Sequence, residues 1–176
     1  MAEEKLLRVE DLVLHFGTTH GTVQAVDGVD FGLDYNKAVV VLGESGCGKT
    51  TTALALMRLL PYNGKIVGGS IKFRGRELVK SSETMLRKIR WKDISIVFQG
   101  AMNSLNPVQR VGKQIAEPIL LHEDVEEEEA DKRVGDLLEL VGIPKKRASE
   151  YPHEFSGGMR QRVMIAMALA CSPKLV

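Results

Sequence analysis

The sequence predicts an α/β fold with an inserted helical subdomain. Strand-like alternation of apolar residues is interleaved with helix-like spacing through the first part of the chain, which is typical of α/β architecture. The stretch from about Asn106 to Ala148 has no strand-like alternation and contains two helix-like segments. With 176 residues and 19.4 kDa, the chain has room for one domain of ordinary size or for one core with a small insert.

Four short segments have the pattern of β-strands. In Val29–Leu33, Ile71–Phe73 and Ile94–Phe98, apolar residues alternate with other residues, which predicts strands. Val39–Leu42 is instead a continuous apolar run, rich in β-branched residues, and this is typical of a strand covered on both faces of its sheet.

Several segments have the apolar spacing of helices. Lys49–Leu60 is a predicted helix that ends before Pro61, and Glu83–Ile89 is a second one. In the helical subdomain, Val111–Leu121 is interrupted by Pro118, which is expected to kink or end the helix.

A further predicted helix carries its apolar residues on one face and is closed by Gly142 and Pro144. The apolar positions are Ala130, Val134, Leu137, Leu138 and Val141. The acidic run Glu126–Glu129 precedes this helix, and acidic residues in a first turn interact favourably with the helix dipole. Recruitment of a partner by this run is the alternative interpretation.

Composition and charge exclude several classes of protein. The 24 Lys and Arg against 23 Asp and Glu give a net charge of +1, and 44% of residues are apolar, which excludes disorder and nucleic-acid binding by bulk charge. The longest apolar run, Val163–Cys171, is too short to span a membrane. Because the sequence shows no secretory signal and has only two cysteines, we expect a cytoplasmic location.

A phosphate-binding chemistry is indicated by the segment Gly43–Thr50. It reads GESGCGKT and fits the pattern G-x-x-x-x-G-K-[ST] at every fixed position, between a predicted strand and a predicted helix. Glycines allow the positive φ angles that turn backbone N–H groups around a phosphate, and the helix adds the positive end of its dipole. Lys49 is expected to contact the β- and γ-phosphates, and the Thr50 hydroxyl to ligate Mg²⁺.

The predicted nucleotide contacts in this loop are Gly43, Glu44, Ser45, Gly46, Cys47, Gly48, Lys49, Thr50 and Thr51. Cys47 is interpreted as a filler residue, and a redox role for its thiol is the alternative. A chance glycine-rich turn does not explain eight matching positions in the correct context.

A second motif, Phe155–Arg162, reads FSGGMRQR and precedes the apolar helix. Ser156 is a good N-cap residue, and Gly157 and Gly158 leave the first backbone N–H groups of the helix uncovered, which makes a second anion site. An ordinary capped helix explains Ser156 but not two bare glycines. Because the two motifs lie far apart in the chain, we interpret them as two half-sites that meet around one nucleotide.

Phe155–Met159 resembles the signature sequence of ABC-type ATPases, and the resemblance extends over the whole chain. It implies a RecA-like P-loop core with an N-terminal antiparallel β portion and a helical subdomain, with ATP and Mg²⁺ bound. The nucleotide contacts that it implies in the signature are Ser156, Gly157, Gly158 and Met159. Phe98-Gln99 resembles the Q-loop, so Gln99 is implied to contact Mg²⁺ or the attacking water and to be a catalytic residue together with Lys49.

Phe16, in the sequence Leu14-His15-Phe16, matches the aromatic residue that stacks on adenine in this family. Packing of Phe16 within the sheet is the alternative, and Tyr35 is the next candidate for the adenine contact.

The segments Met102–Pro107 and Met159–Ala168 resemble the oligopeptide, dipeptide and nickel branch of ABC importers. Three departures from the family pattern are present. Asn36-Lys37 stands where Gly-Glu is usual, Gly100-Ala101 replaces an acid and a proline, and Met159 replaces the glutamine of the signature.

In the family, a Mg²⁺-binding aspartate, a glutamate base and a switch histidine follow the segment that Ser172–Val176 resembles. We therefore expect the chain to be the first half of an ATPase subunit, truncated and inactive alone, in which Val39–Leu42 has unpaired backbone or an exposed apolar face.

The expected division is an ATP-binding core at 1–100, a helical subdomain at 101–160 and a returning helix at 161–176. The histidines fit neither the switch position nor a metal-ligand spacing and are interpreted as surface or loop residues. They are His15, His20, His122 and His153.

The resemblance implies the ATP-binding subunit of an importer for peptides or a related solute. The implied partners are a second ATP-binding subunit, two transmembrane permease subunits and an external solute-binding protein, without nucleic acid. The implied location is peripheral, on the inner face of the cell membrane. Two alternatives are a soluble ABC-type ATPase that acts on nucleic acid and, for this fragment alone, a non-catalytic nucleotide-binding module. Neither heptads nor a cysteine cluster lies between the two motifs, which disfavours the nucleic-acid class.

Overall fold

The computed structural model describes residues 5–98, 100 and 104–176. These residues form two compact units, one ending at Leu86 and the other beginning at Arg87. Within the described ranges, no helix is long and apolar enough to cross a bilayer. The predicted division at residues 100 and 160 remains a prediction.

The first unit is built on a four-stranded antiparallel sheet. Its strands are β1 (Leu7–Thr18), β2 (Gly21–Leu33), β3 (Gly64–Phe73) and β4 (Arg76–Glu77), in the order β2-β1-β3-β4. The predicted strands over 29–33 and 71–73 are confirmed as the ends of β2 and β3. β1 pairs on both sides, and four of its apolar residues are buried, namely Leu7, Val9, Leu12 and Leu14.

A bulge in β1 changes which residues face the core. Leu7 and Val9 are buried before it and Leu12 and Leu14 after it, so the buried positions shift from odd to even numbers. At the bulge, Asp11 has a φ of 46° and contacts the backbone of β3 so closely that a Cβ on Gly69 would lie 2.2 Å from the Asp11 carbonyl oxygen. Gly69, with a φ of 85°, is therefore required at this irregularity in the pairing of β1 with β3.

Two helices belong to this part of the chain. The prediction for α2 (Glu83–Ile89) is confirmed in full, and the boundary between the units falls within this helix. The first helix, α1, covers Lys49–Leu56 and is shorter than predicted. It ends because Arg58 takes a left-handed φ of 50°, and the Leu59 N–H then donates to the Leu54 carbonyl.

Two predicted strands are wrong. Val39–Leu42 is not a strand, and its side chains are between 47% and 87% exposed, which confirms the expectation of an exposed apolar run. Ile94–Phe98 forms only isolated bridges, from Ile94 to Arg90 and Leu175. A short apolar run becomes a strand only when neighbouring strands pair with its backbone. Among the described residues, Val39–Leu42 has no such partner strand, and Ile94–Phe98 has only the isolated bridges of Ile94.

The second unit is helical. It contains α3 (Val111–His122), α4 (Glu127–Leu140) and α5 (Gly157–Leu169), with 3₁₀ helices at Lys145–Ser149 and Pro152–Glu154. All three α-helices contribute to one hydrophobic core, so α5 packs with the helical insert. Its most deeply buried members are Val111, Ile115, Ile119, Ala130, Val134, Leu138, Ile143, Val163 and Ala166. The predicted apolar face of α4 is confirmed.

The expected break at Pro118 is absent, because α3 continues through it to His122. Proline in a helix interior costs about 3 kcal/mol, and burial of one isoleucine contributes about 1.5–3 kcal/mol. Ile115 and Ile119 are fully buried on either side, which offsets that cost. The Pro118 carbonyl also accepts a hydrogen bond from the buried Cys171 thiol at 3.3 Å, and burial raises the pKa of this thiol to about 11.

Candidate functional site

The loop Gly43–Gly48 leads from the exposed apolar run into the N-terminus of α1. Gly46 and Gly48 have φ angles of 84° and 92°, so the predicted left-handed conformation is confirmed at these two glycines. Gly43 is not left-handed, but it packs closely against the Cys47 side chain. A Cβ on Gly43 would lie 2.5 Å from the Cys47 sulfur, and one on Gly48 would lie 2.5 Å from the Ala25 carbonyl oxygen.

Lys49 places its ammonium group within this loop. Its Nζ donates to the Gly43 carbonyl at 2.8 Å and to the Glu44 carbonyl at 2.5 Å, and it lies 3.5 Å from the Cys47 sulfur. The first turn of α1 contains no acidic residue, and no side chain caps it. The backbone N–H groups of that turn and the Lys49 charge therefore form one positive site, which suits a phosphate group.

The three threonines that follow Lys49 differ in what their hydroxyls can do. The Thr52 hydroxyl donates to the Gly48 carbonyl at 3.0 Å, which commits it to the helix. Thr51 is half-buried and Thr50 is exposed. Among the described residues, no group of three or more His, Cys, Asp or Glu side chains could hold a metal ion. Thr50 fits Mg²⁺ all the same, because this ion is commonly held by few protein oxygens together with phosphates and water.

A cavity of about 420 Å³ lies beside the loop, between β2 and the run Val39–Leu42. Lys49 and Thr52 contribute to one wall, but most of the lining is apolar, with Val29 and Phe31 from β2. Such a lining suits hydrocarbon side chains and not a triphosphate, so we do not place the nucleotide there.

Phe16 lies in β1, opposite Val23 of β2 and Gly64 of β3. Its ring covers the bare backbone of Gly64, where a Cβ would lie 2.7 Å from Phe16 Cε1 and 3.3 Å from the Leu60 Cβ. The ring is half-buried, so one part packs on the sheet while the rest remains accessible. Both interpretations of Phe16, as sheet packing and as an adenine contact, fit this position. Tyr35, the other candidate, is 45% exposed.

Phe16→Ala separates these two roles. If the ring stacks on adenine, we expect roughly fivefold weaker binding of ATP and unchanged binding of inorganic tripolyphosphate, since an aromatic contact contributes about 1 kcal/mol. Calorimetric titration with both ligands measures this. A loss of thermal stability without a change in ATP affinity would assign Phe16 to the sheet alone.

The signature motif forms the start of α5 in the second unit. Ser156 is the N-cap, as predicted, and its Oγ accepts a hydrogen bond from the Met159 N–H at 3.4 Å. The helix begins at Gly157, and its first turn contains no acidic residue. A Cβ on Gly158 would meet no atom within 4 Å, so packing in the described chain does not require glycine there. Space and uncovered N–H groups make this turn suitable for an anion from outside the chain.

The remaining predicted residues are less informative. Gln99 lies outside the described residues, whereas Gly100 beside it has a left-handed φ of 90°. The interpretation of all four histidines as surface or loop residues is wrong for His15, which is half-buried within β1. His122 is the last residue of α3 and is partly exposed, and His20 and His153 are exposed. Burial and the nearby Lys92 charge lower the pKa of His122, and the His153 ring stacks on Tyr151.

Sequence reasoning missed Arg147. This residue lies in the 3₁₀ helix before the signature and contacts residues on both sides of Ser156-Gly157-Gly158. A basic residue in a loop gives no pattern that distinguishes such contacts from ordinary solvation.

Known proteins are similar to this chain in sequence. The family model described as ABC transporter matches residues 26–176. The oligopeptide transport ATP-binding protein OppD of Bacillus subtilis (strain 168) is 51% identical over 175 residues, which are 98% of this chain and 49% of that protein. The dipeptide transport ATP-binding protein DppD of the same strain is 47% identical, over 98% of this chain and 52% of that protein. The chain thus spans about half the length of these relatives.

Solved structures confirm the predicted fold class. The dimeric, post-hydrolysis structure of the ATP-binding cassette MJ0796 bound to ADP and Pi has a TM-score of 0.84 and 25% identity, over 95% of this chain and 70% of that one. CbiO1 from Clostridium perfringens, part of the ABC transporter complex cbiONQ, has a TM-score of 0.75 and 28% identity, over 98% of this chain and 64% of that one.

Proposed function

The chain belongs to the ABC transporter family, and from this premise we propose that it is the ATP-binding subunit of an importer for peptides or a related solute. The subunit binds Mg·ATP and couples its hydrolysis to transport. The observation that carries the proposal is the loop Gly43–Gly48, in which the Lys49 ammonium and the uncapped first turn of α1 form a positive site beside left-handed glycines.

In this proposal the loop binds the phosphates of ATP. Backbone N–H groups of α1 donate to phosphate oxygens, and the Lys49 ammonium exchanges its two loop carbonyls for the β- and γ-phosphates. The Thr50 hydroxyl would hold Mg²⁺, and the ion would supply positive charge to neutralise the phosphates. Gln99 orients the attacking water, so that water adds to the γ-phosphorus as ADP leaves.

The signature serves a nucleotide held by another subunit. The first turn of α5 contains no acidic residue, and there is free space beside Gly158. This arrangement supports the approach of a γ-phosphate from outside the chain. The similar cassette MJ0796 is dimeric in its solved structures, which supports the same arrangement here. Two subunits then enclose two ATP molecules, each held by the Gly43–Gly48 loop of one subunit and by Ser156–Gly158 of the other.

Peptide transport is supported by the relatives, which are oligopeptide and dipeptide transport ATP-binding proteins. The partners in this proposal are a second ATP-binding subunit, two permease subunits and an external solute-binding protein, and the subunit lies on the inner face of the membrane. The test is uptake of labelled peptides into membrane vesicles that contain the complete transporter. Peptide uptake that requires ATP and this subunit supports the proposal, and ATP turnover that no tested peptide stimulates contradicts the peptide class.

We place the permease contact at a groove between α3 and α4. The groove has a volume of about 470 Å³, and its apolar part is formed by Ala116, Leu120 and Leu121. Leu121 is 75% exposed and Leu120 is 40% exposed, so two adjacent apolar side chains are accessible at the groove. Three carboxylates and one ammonium also line the groove, namely those of Glu117, Glu127, Asp131 and Lys113. A basic amphipathic segment of the permease complements this combination of apolar floor and acidic rim.

Leu121→Glu tests the groove. We expect ATP binding by the isolated subunit to stay unchanged and peptide-stimulated turnover in vesicles to fall at least tenfold, because burying a carboxylate at a permease interface is strongly unfavourable. Leu140→Glu is the matched control, since Leu140 is 70% exposed on α4 and does not line the groove. Equal effects of the two variants would exclude the groove as the contact.

A further inference from the structure

Arg147 is fixed on one side by an ion pair. Its Nε and Nη2 lie 2.6 Å and 2.5 Å from Oε2 of Glu150, which is three residues further along the chain. The Arg147 side chain is 23% exposed. Two contacts to one carboxylate hold the plane of the guanidinium, so its remaining N–H groups point in defined directions.

The other groups of Arg147 contact the residues that flank Ser156-Gly157-Gly158. On the N-terminal side, Nη2 donates to the Glu154 carbonyl at 3.0 Å, and the guanidinium carbon lies 4.4 Å from the centre of the Phe155 ring. On the C-terminal side, Nη1 lies 3.2 Å from the Met159 sulfur. One side chain therefore connects both ends of the three-residue turn that opens α5.

The turn itself has few means of fixing its backbone. Glycine has the greatest backbone freedom of all residues, and the hydrogen bond between Ser156 Oγ and the Met159 N–H is long at 3.4 Å. The direction of the uncovered N–H groups then depends on how Phe155 and Met159 are held.

We propose that Arg147 is a positioning residue for the signature, holding its backbone N–H groups toward the nucleotide of the second subunit. This inference rests on the proposed function of Ser156–Gly158. Arg147 itself does not contact the nucleotide. Its loss changes the association of subunits around ATP and leaves the binding of ATP by a single subunit unchanged.

The experiment compares Arg147→Ala, Arg147→Lys and Lys146→Ala in the full-length protein. ATP affinity of the monomer is measured by calorimetry, and ATP-dependent dimerisation by analytical ultracentrifugation. We expect Arg147→Ala to weaken dimerisation roughly tenfold, from the loss of hydrogen bonds to a charged group. Arg147→Lys keeps the charge near Phe155 but not the planar fork, so we expect an intermediate effect. Lys146 is exposed in the same 3₁₀ helix, and its replacement is expected to change nothing.

The dependence of turnover on protein concentration distinguishes positioning from simple stability. If Arg147 positions the signature, turnover by Arg147→Ala recovers at high protein concentration. A merely destabilised protein loses specific activity at every concentration, and that result would overturn the proposal. Should Arg147→Ala fail to fold, Glu150→Gln removes the ion pair and leaves Arg147 in place, and the same recovery is expected.

Failure of this inference is distinguishable from failure of the proposed function. If Gly157→Asp abolishes dimerisation and neither Arg147→Ala nor Glu150→Gln weakens it, Arg147 is not a positioning residue although the signature acts as proposed. If Gly157→Asp leaves dimerisation intact, the proposed role of the signature is wrong and the role of Arg147 is wrong with it.

Discussion

In the full-length protein, Lys49→Ala is expected to abolish ATP turnover and to weaken ATP binding by roughly 10- to 150-fold, because a hydrogen bond to a charged group contributes about 1.5–3 kcal/mol. The Lys49 ammonium already lies among the carbonyls of the loop, within 2.8 Å of the Gly43 oxygen. In the proposed function, the ammonium exchanges these carbonyls for the β- and γ-phosphates. Adenosine has no phosphate, so its binding is expected to stay unchanged.

Calorimetric titration with ATP, ADP and adenosine measures this effect, together with phosphate release. Lys37→Ala is the matched control, since it removes one exposed positive charge outside the loop. Loss of ATP and adenosine binding by the same factor would show that Lys49 supports the fold and not the phosphates.

In the full-length protein, Gly157→Asp is expected to leave ATP binding by the monomer unchanged and to abolish both ATP-dependent dimerisation and turnover. The new carboxylate would face the γ-phosphate of the nucleotide on the other subunit. Two like charges at close range repel by about 4 kcal/mol at the effective dielectric constant near a protein surface, and by more where water is excluded.

Light scattering with and without ATP measures dimerisation of Gly157→Asp. Gly157→Ala adds a methyl group without charge and therefore controls for the size of the new side chain. Leu140→Glu adds a carboxylate elsewhere in the same unit and therefore controls for the position of the new charge. If the Gly157→Asp protein dimerises with ATP like the unchanged protein, the motif is only a helix cap and does not contact a nucleotide.

Local patterns in the sequence predicted the helical unit well. The apolar face of α4 follows from spacing alone, and its members Ala130, Val134 and Leu138 are buried. The cap at Ser156 follows from its side-chain chemistry and the glycines behind it. Pro118 was the exception, because the packing of α3 against α4 and α5 decides whether a helix tolerates proline.

Non-local features could not be predicted in the same way. Val39–Leu42 has the composition of a buried strand but lacks partner strands among the described residues, and strand formation depends on such partners. The bulge at Asp11 depends on the close approach of Gly69, which lies on a different strand. The spacing of residues along the sequence predicts neither the missing partner strands nor the approach of Gly69 to Asp11.

The candidate site was predicted in its chemistry and only partly in its geometry. The motif Gly43–Thr50 identified the loop, but Gly43 packs closely against the Cys47 side chain and has no positive φ. Arg147 was missed because its contacts to Glu154, Phe155 and Met159 exist only once a 3₁₀ helix places the guanidinium beside the signature. A side chain with many donors acquires its role from tertiary structure.

A nucleotide site shared between two subunits predicts a specific outcome when two inactive variants are mixed. Lys49→Ala subunits keep an intact signature, and Gly157→Asp subunits keep an intact loop. A mixed dimer of full-length subunits therefore contains one complete site of two, so turnover should return in the mixture and can reach at most about half of that of the unchanged protein. Phosphate release by the mixture, with each variant inactive alone, is the expected result. A mixture as inactive as its components would contradict the shared site.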